Sequence, residues 1–432
     1  MDASSIKSIA RKAVKGLAPD GFVRYGTSCD ILVEDKGMTT LVVGLLLQRQ
    51  QSEDIEYPIP RYMVRVAKSI GAILKLEELH LDGEELSSIV RNAGLGTLKD
   101  HSPINAGAFS VTYKVSVEET IPKSYIIQLR WRGNLDSIYT LTTWLSANCR
   151  DSVPVPDSHR IQFRSSHGFL IQTSSYIDGI AANEVYPTLP TPQKVTLVRQ
   201  IARAFKALWK IDVTGSREVA IGEAIAAVTT KNLTISVGPH RMHDLGGPFD
   251  SAKSYIRAWL HHCLEAYLRR CNDNDNFVRG FVESKLDASP ADIDTIPIVL
   301  VHTDMGLHNM IVSNEPIDII LKSIIDWESV HCLPFLVTVP LLVESLFVRR
   351  PRCFDSIEYP DARMLRKAFW MEVGEEFKLR FQSLAACSFL RYYCFGLFLA
   401  KYVSFHCIPR QESDVKFLWK TSGVIVERFI EM

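Results

Sequence analysis

Residues 300–313 read LVHTDMGLHNMIVS, and the fold assignment depends on this stretch. One apolar run ends at His302, a polar turn holds Asp304 and Asn309, and a second apolar run follows. Short apolar runs bounded by turn residues are typical of buried strands. A carboxylate and a carboxamide in one such turn indicate either a functional pair or two ordinary turn-forming and capping side chains.

A second acidic segment follows at 323–330, which reads SIIDWESV. Asp326 comes directly after a short apolar run and lies seventeen residues beyond Asn309. Two carboxylates and one amide oxygen that converge from a turn and a strand end form a set of hard oxygen ligands, which suits Mg²⁺. Such a set fits phosphoryl transfer, because that reaction needs positioning and charge more than covalent help from the protein.

The pattern H-x-D-x-x-x-x-N, followed by an apolar strand and D-W-E, resembles the catalytic and metal-binding motifs of the aminoglycoside phosphotransferase-like kinase family. Its fungal members are the most similar, since GPF-x-S before a helix, as at 247–251, is also familiar from them. The resemblance covers residues 104–345. It implies an α+β, protein-kinase-like fold of two lobes, a small strand-rich N-lobe and a larger, mostly helical C-lobe. It also implies a phosphotransferase that uses ATP and Mg²⁺.

The resemblance implies a role for each residue of these motifs. Asp304 would be the catalytic base or the carboxylate that orients the acceptor hydroxyl. His302 would brace the catalytic loop through hydrogen bonds. Asn309 and Asp326 would hold Mg²⁺. The Trp and Glu after Asp326 stand where a protein kinase has Phe and Gly.

The expected nucleotide-binding segment departs from the family pattern. NAGAFSVTYKV has one glycine, Gly107, followed by the small Ala108, where a kinase loop has two or three glycines. Close backbone approach to a phosphate remains feasible there, and an ordinary hairpin turn is the alternative. The strand YIIQLR ends in Arg130 instead of the expected lysine, with Gln128 on the same face. Arg130 would keep a positive charge for the phosphates, although it is bulkier than lysine.

The partner of that strand cation is left open by the sequence. The resemblance implies a glutamate on the following helix as the partner of the strand cation. The helix predicted over 134–149 contains no glutamate, and Asp136 is the only acidic residue before it ends.

An upstream segment, residues 21–66, has the same order of features as residues 126–163, with chance similarity as the alternative. Arg24 ends a short apolar run, a possible helix follows, and then P-I-P, and the segment offers Glu34 and Asp35 as acidic partners.

Two functions therefore stay open. One is an ATP-dependent kinase that phosphorylates a hydroxyl of a small molecule. The other is a pseudokinase or scaffold, which keeps the fold with little or no turnover and which the single-glycine loop and the missing helix glutamate favour. Recruitment of the fold for another reaction has no sequence feature in its support.

The chain divides into three predicted regions. Residues 1–103 are an N-terminal extension that partly resembles an N-lobe, 104–180 the nucleotide-binding N-lobe, and 181–432 the helical C-lobe with the catalytic and metal loops. Helices are predicted to begin with Thr191 as the N-cap and to cap at Asp250 or Ser251. Helices within 190–290 and 361–432 are expected to wall an enclosed acceptor pocket.

Composition excludes some classes of partner. The 432 residues are 47% hydrophobic and 23% charged, which is typical of globular chains. Lys plus Arg equals Asp plus Glu, at 49 each, so neither nucleic acid nor an anionic membrane is an expected partner. The apolar stretch 384–403 is interrupted by Arg391 and Lys401, which favours a buried helix over a membrane span.

Two further features of the sequence predict the cellular location of the protein and the type of acceptor. No C-x-x-C pair is present, so zinc and thioredoxin-type sites are not expected. A chain of this size that does not open with an apolar secretory signal is expected to be cytoplasmic, with reduced thiols. The stretch after DWESV, HCLPFLVTVPLLVESLF, is apolar and suits buried packing better than a mobile peptide-binding segment. A small-molecule acceptor is therefore expected.

Overall fold

The computed structural model describes residues 29–36, 40–47, 63–67, 81–104, 110–118, 123–130, 134–159, 170–213, 220–229, 232–240, 245–271, 276–313, 318–350, 357–405 and 412–430. The chain forms two compact units, Met1–Leu86 and Ser87–Met432. The boundary between them falls within helix α1, Gly83–Asn92.

The first unit contains a three-stranded antiparallel sheet. Its strands are β1 (Cys29–Lys36), β2 (Thr40–Leu47) and β3 (Met63–Ala67), in the order β1-β2-β3. The register pairs Cys29 with Leu47 and Lys36 with Thr40. Residues 40–47 are therefore a strand. The possible helix of the upstream segment 21–66 is not found at these residues.

The second unit opens with a five-stranded antiparallel sheet in the order β4-β5-β6-β8-β7. The strands are β4 (Thr97–Ile104), β5 (Ser110–Glu118), β6 (Lys123–Arg130), β7 (Ser158–His159) and β8 (Leu170–Ser175). On β6, Tyr125, Ile127 and Leu129 are buried on one face, so Gln128 and Arg130 project from the other. The strands predicted from FSVTYKVSV and YIIQLR are confirmed.

Helix α2, Leu135–Asn148, follows β6 as predicted. The side chain of Asn134 accepts a hydrogen bond from the Ser137 backbone N–H, which satisfies one of the free donors of the first turn. The helix buries Ile138, Leu141 and Leu145. Residues 152–157, with two prolines, contain no regular element.

Three smaller sheets follow in the second unit. Their strands are β9 (Ile180–Ala181), β10 (Gly222–Thr229), β11 (Asn232–Gly238), β12 (Ile298–His302), β13 (Met310–Val312), β14 (Leu321–Ile324), β15 (Val330–Pro334), β16 (Val348–Arg350) and β17 (Ile357–Glu358). The sheet orders are β11-β10-β15-β12, β14-β13-β9 and β16-β17. Strands β12 and β13 belong to different sheets but follow each other in the chain, and they lead into and out of the polar turn at 303–309.

The remainder of the second unit is mostly helical, which confirms an α+β chain with a strand-rich part before a helical part. The helices are α3 (Ala182–Val185), α4 (Thr191–Trp209), α5 (Ala252–Cys271), α6 (Asn276–Asp287), α7 (Val339–Leu342), α8 (Ala362–Val373), α9 (Glu375–Phe381), α10 (Leu384–Phe405) and α11 (Glu412–Ile430). Aromatic rings join several of them. Trp209 of α4, for example, lies 5.5 Å from Phe335 and 5.3 Å from Phe377, between ring centroids.

Two details of the predicted helical region are corrected. Residues 222–238 form the hairpin β10–β11 and not a helical insertion. Helix α4 begins at Thr191, so Thr191 is its first residue and Pro190 is the N-cap. The Thr191 hydroxyl donates to Asp361 Oδ2 at 2.7 Å instead of capping the helix. The cap of α5 is as predicted, since Ser251 Oγ accepts from the Ser254 N–H.

The apolar segments pack as expected. Residues 330–343 are buried except for a partly exposed Leu341, and they run from strand β15 to the start of the π-helical segment Val343–Phe347. Within the described residues, no single helix is long and apolar enough to cross a membrane, although Glu375–Phe381 and Leu384–Ala400, bent by 66°, pass that test as a pair.

Candidate active site

The turn between β12 and β13 brings Asp304 and Asn309 together. The Gly306 N–H donates to Asp304 O at 2.9 Å and the Asn309 N–H donates to Gly306 O at 3.0 Å. The Asn309 amide nitrogen then donates to Asp304 O at 2.9 Å and to Asp304 Oδ2 at 3.0 Å. The Asp304 carboxylate and the Asn309 carboxamide are thus in direct contact.

The other Asp304 oxygen contacts a residue that the sequence reasoning missed. His308 Nε2 lies 3.2 Å from Asp304 Oδ1. The spacing of four residues within a turn could have signalled this pair. A Cβ on Gly306 would lie 2.7 Å from the His308 ring, so glycine leaves the space that the imidazole occupies.

The contacts around Asp304 change the acidity of both partners. Partial burial raises the pKa of Asp304, but the hydrogen bond and charge of His308 and the hydrogen bond from Asn309 lower it, and the net pKa lies below its ordinary value. The hydrogen bond to Asp304 raises the pKa of His308. Asp304 is therefore a carboxylate at neutral pH, with about half of its side chain accessible to solvent.

Asp326 lies beside Asn309 because β13 and β14 are paired. Met310 is in register with Ile324, and the Ile325 N–H donates to Asn309 O at 2.9 Å. Asp326 has φ +68°, the left-handed region that few residues other than glycine adopt. Such backbone conformations cluster at functional sites.

Arg130 extends from β6 to Asp326. Its Nη2 donates to Asp326 Oδ1 at 2.8 Å and to Gln128 Oε1 at 2.9 Å. Its Nη1 forms an ion pair with Glu328 Oε2. No role for Glu328 is predicted from the sequence. The Arg130 side chain is only 4% exposed, and its Nε is buried without a hydrogen-bond partner among the described residues.

His302 lies behind the turn. It is buried, its Nε2 is 3.1 Å from Ile325 O, and its ring meets the Trp327 ring edge-on at 5.0 Å. Burial lowers its pKa, which favours the neutral imidazole. Trp327 donates from Nε1 to Ile324 O at 2.7 Å. These contacts join the two loops that carry Asp304 and Asp326.

Two further predictions concerned the phosphate-binding turn and the upstream repeat. Gly107 and Ala108 lie outside the described residues, as does Arg24 of the upstream repeat. The two acidic residues of the upstream repeat, Glu34 and Asp35, both lie on β1 in the first unit. The carboxylates that pair with Arg130 come instead from the loop after β14.

The donor set fits a magnesium ion that is shared with nucleotide phosphates. The Asn309 amide nitrogen donates both of its hydrogen bonds to Asp304, which leaves Oδ1 as the Asn309 atom that would bind a metal. Arg130 contacts one oxygen of Asp326, which leaves Oδ2. Among the described residues, no group of three or more His, Cys, Asp or Glu could hold a metal. Mg²⁺ would therefore depend on these two oxygens, on water and on phosphates.

The sequence matches no protein-family model and no curated protein. Several solved structures resemble the chain. A candidate aminoglycoside phosphotransferase from Ralstonia eutropha has a TM-score of 0.49 at 16% identity, covering 81% of this chain and 98% of that one. Spectinomycin phosphotransferase APH(9)-Ia, in complex with ADP and spectinomycin, has a TM-score of 0.46 at 15% identity, covering 81% and 98%. A streptomycin–ATP–APH(2″)-IIa complex has a TM-score of 0.48 at 14% identity, covering 81% and 99%. Similarity at this level assigns no activity to this chain.

Proposed function

We propose that this protein transfers the γ-phosphoryl group of ATP to a hydroxyl of a small molecule. One observation carries the proposal. The half-exposed Asp304 carboxylate is held by Asn309 and His308 in the turn that precedes β13, and Asp326 follows strand β14, which is paired with β13. An ionised carboxylate next to two hard oxygen donors suits phosphoryl transfer, in which the protein mainly orients the hydroxyl and balances charge.

Asp304 orients the acceptor. Its carboxylate accepts a hydrogen bond from the acceptor hydroxyl, the hydroxyl oxygen forms a bond to the γ-phosphorus, and the bond from that phosphorus to the bridging oxygen breaks. The hydroxyl proton passes to Asp304 and ADP leaves. Because the pKa of Asp304 lies below its ordinary value, Asp304 is a weak base, and orientation is the larger part of its role.

Asn309 and Asp326 would hold the metal in this proposal, with Asn309 Oδ1 and Asp326 Oδ2 as the available oxygens. A bound Mg²⁺ would neutralise charge on the β- and γ-phosphates. Arg130 contributes a second positive charge on the other side of Asp326, and its unpaired Nε is a donor that a phosphate oxygen could satisfy.

A small-molecule acceptor is favoured over a protein. Apart from Leu341, the segment from Val330 to Val343, after Asp326, is buried. A protein acceptor would need an extended, accessible segment there to bind a peptide.

The test is transfer of labelled phosphate from ATP to a panel of sugars, amino alcohols and aminoglycosides, with streptomycin and spectinomycin included, beside casein. Asp304→Asn keeps the size of the side chain and removes its charge. We expect turnover to fall by about 10²-fold or more while ATP binding is kept. Asp287→Asn, which alters an exposed carboxylate in helix α6, is the matched control and should leave turnover unchanged.

Two results would contradict the proposal. Unchanged turnover in Asp304→Asn would remove Asp304 from the mechanism. Labelling of casein with no panel compound phosphorylated would exclude the small-molecule acceptor.

A nucleotide-binding protein without turnover is the second candidate function. The observation in its favour is Arg130, whose side chain is only 4% exposed and already donates to Gln128 and Asp326, so that little of the guanidinium is accessible to a nucleotide. This candidate predicts that ATP stabilises the protein against heat while no compound in the panel is phosphorylated.

A further inference from the structure

The cation on β6 needs a carboxylate to hold it, and helix α2 does not provide one. The hydrogen bonds and ion pairs of Arg130 within the described residues go to Gln128, Asp326 and Glu328. The acidic residue of α2, Asp136, instead lines a cavity of about 30 Å³ together with His159 and residues of β8.

Helix α2 is attached elsewhere. Ser137 Oγ donates to Ala224 O at 3.3 Å and accepts from the Ala226 N–H at 2.8 Å. These two buried bonds tie the first turn of α2 to strand β10. The position of α2 is therefore fixed by β10 and not by an ion pair with Arg130.

The loop after β14 supplies two carboxylates to one guanidinium. Asp326 contacts Nη2 and Glu328 contacts Nη1, so each uses a different nitrogen. Trp327 lies between them, is buried, and is anchored by its bond to Ile324 O. The left-handed Asp326 is part of the turn that lets both acidic side chains meet Arg130. Without the shared cation, two like charges this close would repel each other.

We propose that Glu328 is the positioning residue for Arg130, in the place of a helix glutamate. This inference rests on the proposed function. This role of Glu328 changes how Arg130 interacts with Asp326. Because Glu328 takes part of the guanidinium charge, Arg130 is not paired with Asp326 alone, and the second Asp326 oxygen stays available to a cation. Glu328 thus sets how strongly Arg130 competes with Mg²⁺ for Asp326.

The first experiment tests the pair without nucleotide. Arg130→Gln, Glu328→Gln and the double variant are compared by urea unfolding. Glu328→Gln leaves the buried Arg130 with less compensation, and Arg130→Gln leaves two partly buried carboxylates without their cation. We therefore expect both single variants to lose stability and the double variant to lose less than the sum of the two. Additive losses would overturn the pairing.

The second experiment measures the Mg²⁺ concentration that gives half of the ATP-induced rise in melting temperature. In Glu328→Gln, Arg130 pairs with Asp326 alone, and we expect the required Mg²⁺ to rise about 10-fold, the effect of one charge-assisted contact. Glu328→Asp keeps the charge and should recover most of this loss. Asp136→Asn, the change on α2, should match the parent protein.

The outcomes separate the two proposals. An unchanged Mg²⁺ requirement in Glu328→Gln, or the same rise in Asp136→Asn, would overturn the role of Glu328. A parent protein that shows no Mg²⁺-dependent response to ATP would overturn the proposed function, and the unfolding comparison would still decide whether Glu328 holds Arg130.

Discussion

Asp304 is held through both of its carboxylate oxygens, by His308 at Oδ1 and by Asn309 at Oδ2. A carboxylate held at both ends has a fixed orientation, which a hydroxyl-orienting group needs. The two neighbours differ in what they add. Asn309 contributes a hydrogen bond, whereas His308 contributes a hydrogen bond and, when protonated, a positive charge.

This difference leads to a prediction for the pH dependence of turnover. His308 is one of the groups that lower the pKa of Asp304. His308→Gln removes its charge, so the pKa of Asp304 rises. Because turnover needs ionised Asp304, the acid limb of the pH–rate profile should move to higher pH, and activity should be lost first at low pH. The check is kcat measured across the acid range.

A matched control exists for that variant. His261 pairs with Glu283 at 2.7 Å and is similarly half-exposed. His261→Gln should leave the acid limb in place. If both variants shift the limb equally, or if His308→Gln leaves it unmoved, His308 does not tune Asp304.

At the residue scale, the sequence could predict what adjacency in the chain fixes. Asp304 and Asn309 lie in one turn, and strand alternation placed Gln128 beside Arg130. The partner of Arg130 could not be predicted, because Glu328 is nearly two hundred positions away and reaches Arg130 only through the packing of the β14 loop against β6. The roles of Gly107 and Ala108 stay predictions.

At the scale of elements, helices α5 and α10 approach closely at Gly396. A Cβ there would collide with the indole of Trp259, lying 3.0 Å from its Cδ1. The indole is buried and its Nε1 donates to Tyr393 O at 3.2 Å. The ring therefore has little room to move, and the close approach depends on the missing side chain.

Gly396→Ala should therefore destabilise the protein although alanine is the better helix former. Helix propensity gains about 1 kcal/mol, but overpacking a buried contact costs about 1–3 kcal/mol and disturbs the Trp259 hydrogen bond. Gly280→Ala in α6 is the control, because a Cβ there has no atom within 4 Å. It should gain about 0.5–1 kcal/mol. The measurement is the free energy of unfolding of both variants in urea. Equal stabilisation by Gly396→Ala and Gly280→Ala would contradict the close approach of α5 and α10.

The helices were predictable because caps and apolar spacing are local signals, as Ser251 at the start of α5 shows. The hairpin β10–β11 was not predicted. Its first strand, GEAIAAVT, is rich in alanine, which has low β propensity and fits a helix as well. The strand is fixed by tertiary contacts, namely pairing with β15 and the bonds to Ser137 of α2.

At the scale of the molecule, the order of elements in the second unit followed from composition along the chain. β-branched, alternating segments come first, and helical periodicity begins at about residue 190, where the structure has helix α4, Thr191–Trp209. The division after Leu86 could not be predicted from the sequence. The residues around it form helix α1 and do not have the composition of a linker. The predicted regions 1–103, 104–180 and 181–432 stay predictions.

Binding of nucleotide should be visible in the stability of the whole chain. A ligand that binds only the folded state at 100 times its Kd stabilises it by about 2.7 kcal/mol. We expect ATP with Mg²⁺ to raise the melting temperature, and ATP with EDTA to raise it much less, since Asp326 and the phosphates are anions that the metal joins. The same comparison with Asp326→Asn tests the residue.

Asparagine is the suitable replacement, because it tolerates the left-handed φ of +68° and keeps an oxygen for Arg130 while it removes the charge. The Mg²⁺-dependent part of the ATP shift should be lost in Asp326→Asn and kept in Asp287→Asn, whose carboxylate is 76% exposed in an ion pair with Arg257. A full Mg²⁺-dependent shift in Asp326→Asn would show that the metal is held elsewhere. Loss of that shift in both variants would point to a general effect of charge, since Asp287 lies on the surface of helix α6 and not beside Asn309.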